Sequence, residues 1–193
     1  MSDVYSVAVF CGSRSGADPR FAVAARALGL GLAGRGIRLV YGAGSNGLMG
    51  VLANAALESG GRVLGVIPDF LVRWEVAHPG LTERIVTQTM HERKRVMAEQ
   101  ADAFVMMPGG IGTLDETIEI LSWRQLRLHD KPIFLCDVAG SAAPVLAAIE
   151  GSIALGFAAP DTRALFSVVD GVAALLEALD RAPSGMGLTG ERV

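Results

Sequence analysis

Three short stretches of the chain, VAVF (Val7–Phe10), FVMM (Phe104–Met107) and IFLC (Ile133–Cys136), are apolar at every position. A strand with one face in water alternates apolar and polar residues, whereas one apolar throughout needs cover on both faces. Short β-branched runs of this kind are marked at Val4–Phe10, Ile37–Tyr41, Arg62–Ile67, Arg84–Thr87, Ala103–Met107, Pro132–Leu135 and Leu165–Val169. Longer helical segments fall between them, at Pro19–Arg35, Leu48–Ser59, His91–Gln100, Thr113–Leu128, Ala142–Leu155 and Gly171–Asp180. That alternation builds a parallel sheet with crossover helices. The expected fold is α/β, a Rossmann-like doubly wound parallel sheet, in a single domain over residues 1–182. No internal repeat or linker marks a second unit, and the Gly-rich polar end, residues 183–193, is expected to fray.

In such a sheet ligands sit beyond the carboxyl ends of the strands, where the strand order reverses. Four strand-to-helix connections carry unusual residues: CGSRSG (Cys11–Gly16), YGAGSNGLMG (Tyr41–Gly50), MHERKR (Met90–Arg95) and PGGIGTLDE (Pro108–Glu116). The first two offer small residues and backbone N–H groups just before helices, which suits an anion or a close approach of ligand, with Ser13 in the first. An ordinary tight crossover explains either loop equally well. Gly42, Gly44 and Gly47 approximate the dinucleotide fingerprint G-x-G-x-x-G, with Asp69 as a candidate ribose-binding acid, but they follow the second strand rather than the first. NAD binding is thus an alternative.

The fourth loop says more. Pro108 ends a strand, Gly109 and Gly110 let the backbone turn, and Gly112 with Thr113 opens the next helix. Thr113 and Glu116 also have the spacing of a capping box, in which the glutamate would only return a hydrogen bond to the cap residue. Capping does not explain three glycines in four positions. Amides converging there with the helix dipole make a site for a dianionic phosphate, with the Thr113 hydroxyl as a further donor. In MHERKR, Arg93, Lys94 and Arg95 point about 100° apart on a helix, so they cannot all face one ligand. Arg93 or Lys94 can reach the same crevice. A phosphate nest, a carboxylate one turn into a helix and a cation opposite suit a sugar phosphate.

Charge and cysteine content narrow the partners. A net charge of −3 gives no overall positive field for a nucleic acid backbone or an acidic membrane surface, so the partner is expected to be a small molecule. Cys11 and Cys136 lie in apolar surroundings, as buried thiols of a reducing compartment do. The first apolar run is too short for a signal peptide or a membrane span, and a cytoplasmic location is expected. Cys11 as a nucleophile lacks a nearby His partner. A pyridoxal enzyme would need a Schiff-base lysine, and neither Lys94 nor Lys131, the two lysines present, has that context.

GAGSNGLMG, MHERK and above all PGGIGTLDE resemble the signature of the Lonely Guy (LOG) family, cytokinin riboside 5′-monophosphate phosphoribohydrolases often mislabelled lysine decarboxylases. The likeness runs from Val9 to Leu135 and keeps the order of the motifs. It implies hydrolysis of the N-glycosidic bond of a nucleoside 5′-monophosphate, AMP or an N6-modified AMP, to free base and ribose 5-phosphate, with no metal or redox cofactor. By position it implies Arg93 and Glu116 as the catalytic pair. It places Lys94, Gly109, Gly110, Ile111, Gly112 and Thr113 in the nucleotide-binding segment, and Glu75 where the family has a ligand-contacting glutamate. Gly42-Ala43-Gly44 stands where the family has three glycines; Ala43 fits if its φ is negative, and otherwise the loop must rearrange. The base is expected near Met90. Proteins resembling molybdenum cofactor carriers keep the glycine loops without the hydrolase pair, so a non-catalytic carrier is the other alternative; the presence of both Arg93 and Glu116 argues against it. The resemblance also implies a homodimer, consistent with an apolar band on TLDETIEILSWRQLRL wider than one buried face requires.

Overall fold

A computed structural model of the chain describes residues 4–72, 77–183 and 185. The chain begins with β1 (Ser6–Phe10), α1 (Pro19–Gly34), β2 (Arg38–Tyr41), α2 (Gly47–Glu58) and β3 (Val63–Pro68). A four-residue helix, α3 (Asp69–Val72), then precedes β4 (Glu83–Thr87), α4 (Met90–Glu99), β5 (Ala103–Met106) and α5 (Ile111–Gln125). The remainder is β6 (Ile133–Asp137), α6 (Ala143–Ala154), a 3-10 turn (Pro160–Leu165), β7 (Ser167–Asp170) and α7 (Gly171–Arg181). All seven strands are parallel, in the order β4-β3-β2-β1-β5-β6-β7. This is the expected doubly wound α/β sheet, in one domain.

The apolar strands are buried on both faces, as their composition required. Val7 and Val9 of β1 point into one core with Leu28, Leu32, Leu52 and Leu175, while Ala8 and Phe10 point into the other with Met97, Ile120 and Trp123. β4 and β7, at the two edges, are partly exposed. Differences from expectation are local. The seventh strand starts at Ser167 because Pro160 opens a 3-10 turn through Leu165, and α3 is too short to show a period in sequence. α5 begins at Ile111, not Thr113. Among the described residues no helix is long and apolar enough to cross a membrane.

Both described buried histidines hold positions that favour the neutral ring. His129 Nε2 lies 3.0 Å from the Ile120 carbonyl, and its ring packs edge-on against Phe104. His78 takes the Gly80 N–H on Nδ1 and faces Asn54 Oδ1 at 2.8 Å through Nε2. Burial lowers the pKa of each from its ordinary 6.5. The unfolded chain therefore binds more protons than the folded one just below that value, so stability is full above 6.5 and falls as pH drops through it. Urea midpoints should fall between about pH 7.5 and about 5.5, and the fall should shrink in a His78→Gln/His129→Gln double variant.

Candidate active site

The strand order reverses between β1 and β5, and the loops leaving these two strands diverge to opposite faces of the sheet. They remain fastened at their roots. Gly12 N–H donates to the Pro108 carbonyl at 3.0 Å, while the Gly12 carbonyl accepts from Leu48 N–H at 3.0 Å and Met49 N–H at 3.2 Å. A Cβ on Gly12 would lie 2.8 Å from the Arg14 carbonyl oxygen and 3.4 Å from Gly109 Cα, so only glycine permits this contact. Between the loops opens a crevice of about 640 Å³, walled by residues 11–16 on one side and residues 108–113 on the other, with Phe21, Met49, Arg93, Glu116 and Ser141 completing it.

The three glycines at the α5 entrance have different reasons to be there. A Cβ on Gly109 would come 2.0 Å from Thr113 Oγ1, so packing of the Thr113 side chain against that backbone demands glycine. At Gly110 and Gly112 a Cβ would meet no protein atom within 4 Å, and neither has positive φ. Nothing among the described residues requires glycine there, yet both line the crevice. Gly110 is the N-cap and supplies no side-chain cap, so the first-turn amides of α5 are left for whatever occupies the crevice. The capping box expected at Thr113 and Glu116 does not form. Thr113 is already the third residue of the helix, is buried, and its carbonyl accepts from the Thr117 hydroxyl at 2.7 Å. Glu116 lies half-buried one turn in, on the crevice wall.

A genuine cap opens α4 instead: Thr89 Oγ1 accepts from Glu92 N–H at 3.0 Å, and Glu92 reaches back to Gln88 N–H at 2.7 Å. The next residue, Arg93, is 6% exposed. Its Nε donates to the Val66 carbonyl at 3.1 Å and Nη2 to the Gly42 carbonyl at 3.0 Å, while Nη1 faces Met90 Sδ at 3.9 Å. One hydrogen on each terminal nitrogen remains, a fork for a planar acceptor. Gly42 must be glycine because its Cβ would meet the fixed Nη2 at 2.0 Å, whereas a Cβ on Gly44 would meet the tip of Met49, Cε, at 2.6 Å and push that side chain aside. These two glycines and Met90 thus stand behind the crevice wall, touching Arg93 or Met49. Ala43 between them has φ 63°, contrary to the negative φ that would have suited it. A left-handed alanine costs roughly 1 kcal/mol. Complete burial of Ala43 beside Gly65 and its carbonyl's bond from His78 N–H, 2.9 Å, offset that cost.

Of the other expected residues, Ser13 and Gly109 through Thr113 line the crevice with Arg93 and Glu116. Lys94 does not; its Nζ lies 3.1 Å from both Asp115 and Glu119 on α5. Glu75 lies outside the described residues. Arg14, Phe21, Met49 and Ser141 line the crevice without having been singled out in the sequence. Arg14 adjoins Ser13 and was within reach of the motif, whereas Ser141 belongs to a loop with no motif at all. The dinucleotide alternative fails on geometry: the Leu48 and Met49 amides at the head of α2 are spent on Gly12, so that helix start is closed to a pyrophosphate. Cys11 is buried and free, and burial together with the charge of Glu116 pushes its thiol far up, so it stays protonated. Lys131 is buried, with Nζ on the carbonyls of Ala98 and Ala101 at 2.8 and 2.6 Å. Neither lysine lines the crevice, which leaves no amine for a Schiff base there.

Fold and crevice together define a Rossmann-like α/β protein with an anion-receptive helix start and a carboxylate at its switch point. Residues 49–179 match a family model described as possible lysine decarboxylase. The chain is 48% identical to the cytokinin riboside 5′-monophosphate phosphoribohydrolase of Rhodococcoides fascians, over 82% of this chain and 80% of that protein. It is 41% identical to one of the same name from Arabidopsis thaliana, over 90% and 76%. The chain belongs to the LOG family of cytokinin riboside 5′-monophosphate phosphoribohydrolases. Among solved structures, the molybdenum cofactor binding protein of Rippkaea orientalis is similar with a TM-score of 0.68 at 20% identity, covering 90% of this chain and 94% of that one. The molybdenum cofactor carrier protein of Chlamydomonas reinhardtii gives 0.66 at 22%, covering 92% and 96%. At these identities the likeness concerns the fold.

The glycines predict a contrast. Gly109→Ala should cost about 1–3 kcal/mol of stability through overpacking against Thr113. Gly112→Ala should fold at least as stably, by up to about 1 kcal/mol, because alanine is the better helix former. Its affinity for AMP should nevertheless fall. Thermal melts and calorimetric titration of both variants check this.

Proposed function

We propose that the chain hydrolyses the N-glycosidic bond of a nucleoside 5′-monophosphate, AMP or an N6-substituted AMP of the cytokinin riboside type, to free base and ribose 5-phosphate. The observation that carries this is a pair of glycines, Gly110 and Gly112, that the protein's own packing does not require, at an uncapped helix start sharing one crevice with Glu116. The names of relatives at 41–48% identity agree with it.

The 5′-phosphate rests on the amides of Gly110, Ile111 and Gly112, with Ser13 and the Thr113 hydroxyl alongside. One helical turn further, Glu116 faces the ribose. As the C1′–N9 bond breaks, its electron pair leaves with the base and positive charge spreads over C1′ and the ring oxygen; the carboxylate stabilises that charge, accepts a proton from the water that attacks C1′ and returns it to the departing base, which leaves neutral as the carboxylate is restored. Arg93 does not act as an acid, since a guanidinium keeps its proton; its two remaining N–H groups hold the departing base. Gly42, Gly44 and Met90 serve by holding Arg93 and Met49 in place, and Lys94 by tying α4 to α5. Glu75 is assigned to ligand contact on the family resemblance alone. The protein acts in the cytoplasm as a homodimer, the dimer being supported by the exposed apolar side chains of Ile118 on α5 and Leu126 at its C-cap, 43% and 69% exposed.

Incubation with AMP, isopentenyladenosine monophosphate, the matching nucleosides and lysine, followed by chromatography of free base, tests the reading. Base should appear from the monophosphates, far more slowly from the nucleosides, and lysine should be unchanged. Glu116→Gln should lower kcat by about 10²–10³-fold, the scale of losing one group aimed at transition-state charge. Binding of AMP with no release of base would favour a carrier instead.

A further inference from the structure

Among the described residues of the crevice wall, one cation is left unused by the mechanism. Arg14 lies on that wall, at the exposed rim, in a segment whose other arginine, Arg20, is taken up by Asp18 through three bonds of 2.6–3.1 Å. Among the described residues Arg14 makes no ion pair. Its backbone is nevertheless fixed. Gly47, at φ 59°, packs so closely on it that a Cβ there would lie 2.5 Å from Arg14 N and 2.4 Å from Ser13 C. Two residues earlier, Gly12 N–H is bonded to the Pro108 carbonyl, two residues before the α5 N-cap Gly110. The side chain is therefore rooted beside the head of α5.

Charge balance gives it a task. A phosphate dianion at that helix start shares the crevice with Glu116, and the opposing cation, Arg93, is held by the carbonyls of Val66 and Gly42 at the other end, over β3 and β2. The helix dipole contributes only about half a charge. Among the described residues, without another cation the phosphate end of the loaded crevice is net negative. We propose that Arg14 is the phosphate-side cation of this site, swinging from the rim onto the 5′-phosphate and setting the preference for phosphorylated over unphosphorylated nucleosides. This rests on the mononucleotide reading above and names a residue of that same site.

The test compares the parent protein with Arg14→Ala, Arg14→Lys and, as a control for charge alone, Arg20→Ala. Kinetics on AMP and adenosine are run beside calorimetric titration with ribose 5-phosphate. Arg14→Ala should raise KM for AMP about tenfold with kcat within about twofold, the scale of one exposed charge-assisted hydrogen bond. Its AMP-over-adenosine ratio in kcat/KM should fall by a similar factor. Affinity for ribose 5-phosphate should drop in parallel, Arg14→Lys should recover part of the loss, and Arg20→Ala should match the parent. Equal losses on AMP and adenosine, or unchanged affinity for ribose 5-phosphate, would overturn the proposal. Failure of the parent to release base from AMP would overturn the hydrolase reading instead, and the affinities of parent and Arg14→Ala for AMP would still decide the role of Arg14.

Discussion

The site depends on one peptide unit. Gly12 gives its N–H to the β5 loop and its carbonyl to two amides at the head of α2, so a single residue joins the ends of β1, β5 and the helix after β2. The consequence is an asymmetry between two helix starts. α2 has its leading amides satisfied by the protein and becomes structural, whereas α5, capped by a glycine without a side chain, keeps its amides for the crevice. Both helices follow glycine-rich loops. Only where a backbone carbonyl happens to lie decides which one can receive an anion.

The glycines of the chain divide along the same line. Gly12, Gly42 and Gly109 are each required by a protein atom that a Cβ would strike, and Gly44 leaves room for the end of Met49. They bring backbone against backbone, or backbone against the Arg93 guanidinium and the Met49 and Thr113 side chains. Gly110 and Gly112 have open space beside them, inside the crevice. A bound molecule would account for that space, and the family relationship supplies a class of molecule that fits.

Much of this was legible in the sequence because it depends on period and local chemistry. The unbroken apolar runs VAVF, FVMM and IFLC required a sheet covered on both faces, and the density of glycine in PGGIGT exceeded the needs of a turn. The start of α5 was misplaced because Thr113 with Glu116 mimics a capping box; whether threonine or glycine caps the helix is settled by how the Thr113 side chain packs on Gly109, a contact that spacing does not encode. Ala43 shows the same limit. Its left-handed φ is stabilised by Gly65 and His78, residues 22 and 35 positions away. The crevice residues Phe21 and Ser141 arrive from the faces of α1 and the β6–α6 loop, and only the folded topology puts them beside PGGIGT.

The consecutive cations Arg93 and Lys94 divide their work because a helix turns them apart by about 100°. Arg93 points down into the crevice and is immobilised by carbonyls at the ends of β2 and β3, while Lys94 points sideways to Asp115 and Glu119 on α5. Asp115 adjoins Glu116, so the ion pair lies one residue from the carboxylate assigned to the ribose. The spacing between Arg93 and Glu116, on which any chemistry between them rests, is then held by a contact outside the cavity. Lys94 therefore bears on the site without lining it: losing its charge would loosen the register of α4 against α5 without removing any group from the crevice.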